Sequence, residues 1–104
     1  MIVQINTDKH IEGYSRMNEF FSEEVKKEFA RFDNKVTRVE VHFGDENGDK
    51  FGKNDKRCLI EVRVEGKSPI AVTTHADKSE KAFNEAIVKV KRSLDNTFEK
   101  MRGH

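Results

Sequence analysis

The sequence predicts an α+β fold of order β-α-β-β-β-α: a four-stranded mixed sheet with two helices packed on one face. Three observations predict it. Two stretches, 14–32 and 78–102, repeat apolar residues at three- and four-residue spacing, the period of a helix with one buried face. Between them, three stretches alternate apolar with charged or polar residues, the pattern of strands with one face in water. A short apolar run opens the chain and supplies a further strand.

Residues 2–6 form that first strand, and 7–13, polar and ending on Gly13, form a loop. Tyr14, Met17, Phe21, Val25, Phe29 and Phe32 then line one face of a helix that ends at the turn-forming Asp33-Asn34. Its outer surface carries Glu19, Glu23, Glu24 and Glu28 with Lys26, Lys27 and Arg31. In the next strand Val39, Val41 and Phe43 point inward while Arg38, Glu40 and His42 point out. Gly44 to Asp55, rich in Gly, Asp and Asn, reads as a hairpin loop. A long strand follows, with Cys58, Ile60, Val62 and Val64 inward and Arg57, Glu61, Arg63 and Glu65 outward. Gly66-Lys67-Ser68-Pro69 makes a tight turn into a last strand, Ile70 to Thr74. The final helix, from about Lys78 to Arg102, turns Phe83, Ala86, Ile87, Val90, Leu94, Phe98 and Met101 to the core. Successive hairpins make strands two to four antiparallel, and the helical crossover makes strand one parallel to its neighbour.

With 104 residues the expectation is a single domain spanning 1–104. Apolar content is 35% and charged content 38%, yet the apolar residues are grouped. Eight Phe supply much of the burial, each worth about 1.5–3 kcal/mol when enclosed. Such a chain builds a two-layer core with little room for a deep substrate cavity. The formal net charge of +1 gives no global field toward nucleic acid or anionic membrane, so binding to either needs a local patch. The lone Cys58 excludes an internal disulfide and fits a reducing compartment. The start, Met1 to Asn6 and then Asp8, lacks the basic opening and apolar length of a signal peptide. No stretch is long enough to span a membrane. The expected location is cytoplasmic.

Candidate chemistry is sparse. Asp45-Glu46-Asn47-Gly48-Asp49-Lys50 imitates the opening of a calcium loop, but Lys50 stands where that loop needs Gly and Lys56 where it needs the bidentate Glu. A solvated hairpin loop accounts for the same residues. None of His10, His42, His75 and His104 lies at metal-ligand spacing from another or from Cys58. His42 and His75 could still meet on the open sheet face. Cys58, in the inward phase of its strand, reads as a small buried apolar residue. There is no glycine-rich phosphate loop and no Ser-His-Asp arrangement. The expectation is a protein that is not an enzyme, without metal, cofactor or small-molecule substrate.

The last helix is more informative. At about 100° per residue, Lys78, Lys81, Lys89, Arg92 and Lys100 share one arc beside the apolar stripe. From Lys78 to Arg102 seven basic residues face four acidic ones, a local excess of +3 in a nearly neutral chain. A rigid row of cations can follow a phosphate backbone, with affinity that falls steeply as salt rises. Glu85 and Glu99 share the arc, so a mixed solvated face is the competing description.

The stretch Ala82-Phe83-Asn84-Glu85-Ala86-Ile87-Val88-Lys89-Val90-Lys91-Arg92-Ser93-Leu94 resembles the Ala-Ile-x-x-x-Ile-x-Lys-Leu-x-Arg-Gln-Leu helix of the ribosome hibernation-promoting factors. These are also described as ribosome-associated inhibitor or sigma-54 modulation proteins. Lys89 and Arg92 fall on that motif's Lys and Arg, and the element order covers nearly the whole chain. Val62-Arg63-Val64-Glu65-Gly66 and Ile70-Ala71-Val72 fit as well. Ahead of the helix, Lys78-Ser79-Glu80-Lys81 stands where the family often has Asp-x-Tyr. The resemblance implies a fold related to double-stranded-RNA-binding domains. It also implies docking on the small ribosomal subunit and its rRNA, in the mRNA/tRNA channel, to block translation under stress. The chain resembles the family's short type, without a second, dimerising domain.

Lys78, Lys81, Lys89 and Arg92 are the expected RNA contacts, with Lys26, Lys27 and Arg31 secondary. A second reading is a protein-interaction module using the open sheet face, where Arg38, His42, Arg57 and Arg63 alternate with Glu40, Glu61 and Glu65. A third is a small enzyme using His42 and His75.

Overall fold

The computed structural model describes residues 1–7, 14–45 and 55–102, and only the backbone of 14, 15, 101 and 102. Its elements are β1 (Ile2–Thr7), α1 (Tyr14–Glu28), a single 3-10 turn (Ala30–Phe32), β2 (Val36–Asp45), β3 (Lys56–Val64), β4 (Ile70–Ala76) and α2 (Ser79–Arg102). The sheet order is β1-β2-β3-β4, with β1 parallel to β2 and the other pairs antiparallel.

Alternation decides which sheet face is buried. Val39 and Val41 of β2 stand opposite Val62 and Ile60 of β3 and opposite Val3 and Ile5 of β1. With Phe43, Cys58 and Val64 they form the floor of the core. Both helices cover this floor. Phe21 of α1, Phe43 of β2 and Phe83 of α2 meet with ring centroids 4.6 and 4.7 Å from Phe21, and Val25, Phe29, Ala86, Val90 and Leu94 fill in around them. A second group, Phe29, Phe32 and Phe98, closes the far end at 6.2 and 5.6 Å. The contacts between helices climb in step: Phe21 meets Phe83, Glu28 meets Lys91, Arg31 meets Asp95 and Phe32 meets Phe98. The helices therefore run parallel, side by side, with α1 toward β1 and α2 over β3 and β4.

Several boundaries differ from the sequence reading: β1 takes in Thr7 and β2 takes in Gly44 and Asp45, residues expected in loops, and three further differences have a local cause. The first helix stops at Glu28, not Phe32, and tightens into the 3-10 turn, where Phe32 and Asp33 donate to the carbonyls of Phe29 and Ala30 at 2.9 and 3.2 Å. Three-residue bonds satisfy the last carbonyls while bending the chain toward β2, and they keep Phe32 in the core. β4 runs on to Ala76 because Thr74 and Ala76 are buried against α2. Glu65, expected on the strand, lies in the turn, where Gly66 takes φ 77°, a left-handed conformation that glycine adopts without strain.

Candidate nucleic-acid interface

α2 sorts its cations by flank. Lys91 and Asp95, which lie toward α1, are used to join the two helices: Lys91 Nζ meets Glu28 Oε1 at 2.8 Å, and Arg31 donates to both oxygens of Asp95 at 2.8 and 3.1 Å. Arg31 also lies over the Phe32 ring, 4.1 Å from its centroid. The two-point hydrogen bond raises the Arg31 pKa and holds the Asp95 carboxyl below the usual carboxylate range. Arg31 is thus engaged in a tie between elements.

The opposite flank is different. Lys78, Lys89 and Lys100 follow one another at eleven-residue intervals, about 16 Å along the axis with about 20° of drift. All three are exposed, as are Lys81 and Arg92 on the crest. Lys81 has a loose partner, Asp77, at 3.9 Å. The Lys78 carbonyl accepts the Ala82 N–H at 3.0 Å, so Lys78 is the N-cap and its side chain starts the row. Stability does not explain a lysine there, since the positive end of the helix dipole repels cations. Arg92 borders two shallow depressions, one with Lys89, Asn84, Glu85 and Val88, the other a groove of about 390 Å³ toward Arg31 and Lys91.

The structure brings Lys78, Lys81, Lys89 and Arg92 onto one surface. Arg31 lies across the inter-helix groove from it, whereas Lys26 leaves α1 about 160° round from Glu28, which faces α2. Lys26 and Lys27 are exposed and leave α1 about 100° apart, with Lys26 3.9 Å from Glu23. Sequence reasoning did not mark Val88, an apolar side chain 56% exposed amid the basic arc. It also did not select Lys100 as a contact, although the eleven-residue repeat identifies it.

The open sheet face carries bands. Arg38 stands opposite Arg63, Glu40 opposite Glu61, and Arg57 opposite His75. In the first two pairs like charges face each other across strands, and opposite charges follow along them. Arg38 Nε donates to Glu40 Oε2 at 2.6 Å, and a second Arg38 nitrogen donates to Gln4 Oε1. His42 lies 3.3 Å from Glu40 Oε1 and 3.4 Å from Asn6. The Arg38 guanidinium, and then His42, hold the Glu40 pKa down. Gln4 and Asn6, absent from the sequence reading of this face, belong to it through the β1 register.

The geometry removes the other candidates. His42 pairs with Leu59 and Leu59 with Thr73, two residues short of His75. Two strand spacings and that offset separate the histidines by on the order of 12 Å. Cys58 is buried, and desolvation pushes its thiol up to about 12, far from thiolate chemistry at neutral pH. Asp45 accepts from Lys56 at 2.7 Å, so the calcium-like segment closes on a lysine. The rest of that segment, His10 and His104 lie outside the described residues. Among the described residues no three His, Cys, Asp or Glu side chains gather as metal ligands, and no helix is long and apolar enough to cross a membrane.

A family model described as sigma 54 modulation protein / S30EA ribosomal protein matches residues 4–102. The chain belongs to that family. The match covers nearly the whole described fold, including Val62–Gly66, Ile70–Val72 and Ala82–Leu94, the stretches that carried the resemblance. The family is one of non-enzymatic factors, in agreement with the absence of catalytic patterns in the sequence. A solved structure described as a ribosomal subunit interface protein from Coxiella burnetii is similar, with a TM-score of 0.67 at 16% identity. The alignment covers 93% of this chain and 97% of that one. At that identity the likeness is one of fold. No curated protein matches the sequence.

Proposed function

We propose that this chain is a translation inhibitor that acts by occupancy. It binds the small ribosomal subunit through ribosomal RNA, in the cytoplasm, as one domain spanning 1–104, and obstructs the mRNA/tRNA channel when ribosomes are idled by stress. The observation that carries the reading is the outer surface of α2, from its crest to the flank turned away from α1, where Lys78, Lys89 and Arg92 are exposed, with no ion pair among the described residues. Family membership supplies the ribosomal context. Folded RNA is met largely through backbone shape and phosphate contacts, for which a straight row of cations is suited. Lys78, Lys81, Lys89 and Arg92 are the primary contacts. Lys26 and Lys27 contribute from α1, while Arg31 contributes mainly by holding α1 to α2.

Exchanging both Lys89 and Arg92 for Glu should weaken co-sedimentation with 30S subunits at least tenfold while leaving Tm nearly unchanged. Retained binding would refute the site. The banded open face favours a second reading, a protein-interaction module, because bands of both signs complement a protein surface better than a uniformly anionic backbone. Binding to ribosomes that survives ribonuclease treatment, and is lost on Glu40→Lys with Glu61→Lys, would favour that reading.

A further inference from the structure

β4 is an edge strand: β3 is its one neighbour in the sheet of the described residues, and Ile70–Thr74 is the stretch on which a further strand could pair. Its sequence, Ile70-Ala71-Val72-Thr73-Thr74-His75-Ala76, holds no Asp, Glu, Lys, Arg or Pro in a chain that is 38% charged. Its register with β3 runs without a shift. Soluble proteins usually guard an edge with lysine, proline or a bulge, and this edge has none of the three. Ile70, Val72, Thr73 and Thr74 favour extended pairing.

β1, the other edge, is also uncharged; what sets β4 apart is the helix beside it. The Thr74 hydroxyl donates to the Ala82 carbonyl at 2.6 Å, which lays that side of α2 against β4. Lys78 and Lys89 leave α2 only about 40° and 20° round from Ala82, toward solvent. The bare edge and these two cations form the walls of an open trough. Its lengths agree: about 16 Å from Lys78 to Lys89 along the helix, about 20 Å for β4.

We infer that this trough binds an extended acidic segment of another protein, added as a fifth strand along β4 with its carboxylates on Lys78 and Lys89. Ladder hydrogen bonds supply affinity that is indifferent to side chains, and every second side chain of the added strand faces α2, where charge selects carboxylates. A second copy of this chain fits badly. Antiparallel pairing of two β4 edges would bring the Lys78 and Lys89 rows of both copies together across the two-fold axis. Lys78 and Lys89 are also RNA contacts in the function proposed above, so peptide and RNA would exclude each other. That consequence rests on the ribosomal reading; peptide binding does not, and a titration without RNA tests it separately.

The probe is a fluorescein-labelled peptide, acetyl-(Glu-Val)4-amide, titrated with the full chain at low salt and read by anisotropy. Three comparisons accompany it: the same peptide N-methylated at alternate residues, its (Lys-Val)4 counterpart, and the Lys78→Glu/Lys89→Glu protein. Expected are saturable binding of the acidic peptide, at least tenfold weaker binding in all three comparisons, and slowed amide exchange confined to β4. Absence of binding overturns the proposal, as does equal affinity for the N-methylated peptide, which would mean attraction without strand addition. Sedimentation showing the chain alone to be a dimer with protected β4 amides would also overturn it, since the edge would then be occupied by a second copy.

Discussion

Thr74 and Cys58 show how single positions are set by what encloses them. Thr74 is the one buried polar side chain among the described residues, and its hydroxyl has a specific acceptor, the carbonyl of Ala82 in the first turn of α2. Thr74→Val keeps the shape and removes that bond, and should cost about 1 kcal/mol in urea unfolding. Phe83 touches both Phe21 and Phe43, so Phe83→Ala should cost about 3–5 kcal/mol by the same measurement. With its thiol pushed up to about 12, Cys58 should react with a thiol reagent at neutral pH only in denaturant. The roles of Cys58 and Phe83 were legible in the sequence as inward phases of strand and helix; the burial of Thr74 was not read there. Nor was its acceptor, because that depends on where α2 crosses β4.

At the scale of elements, α2 carries two duties on two flanks. Lys78 caps its N-terminus with a cation, where a hydroxyl or carboxylate would serve stability better. Lys78→Ser should therefore raise stability by about 0.5–1 kcal/mol in thermal unfolding while weakening RNA binding. The flank toward α1 holds the helices in register through Asp95 and Glu28. Asp95 has a folded-state pKa below its unfolded one. The stability from this tie is therefore complete above the ordinary carboxylate pKa and disappears as pH falls through the depressed value. Acid titrations of Asp95→Asn should show a shallower loss of stability below about pH 4 than the parent. The helical period set the basic arc beside the apolar stripe in the sequence. It could not say which flank faced α1, and so which cations were committed; Lys91 and Lys89 look alike until Glu28 is found beside one of them.

For the whole molecule, a net charge of +1 conceals a strong segregation. The sheet's open face balances its charge in bands, the inter-helix seam pairs its charge, and the outer flank of α2 keeps a basic excess. Affinity for an anionic surface should accordingly depend chiefly on that flank and the crest beside it, with a smaller part from Lys26 and Lys27. The order of elements, the mixed sheet and the shared helix face were all readable from periodicity, because one buried face per element leaves few ways to pack them. The end of α1 was not, since Phe29 and Phe32 suit a continued helix as well as a 3-10 turn. The basic row was readable as an arc, and its eleven-residue repeat is what the straight helix makes of it.

The central claim is that this flank is the ribosome-binding surface, and its most direct test is co-sedimentation of the chain with purified 30S subunits across a salt series, parent against Lys89→Glu/Arg92→Glu. The account predicts that parent binding falls steeply between 50 and 200 mM salt, by about tenfold or more, and that the double variant binds weakly with a flattened salt slope. Binding of the parent that is indifferent to salt, or a variant that sediments as the parent does, would contradict it.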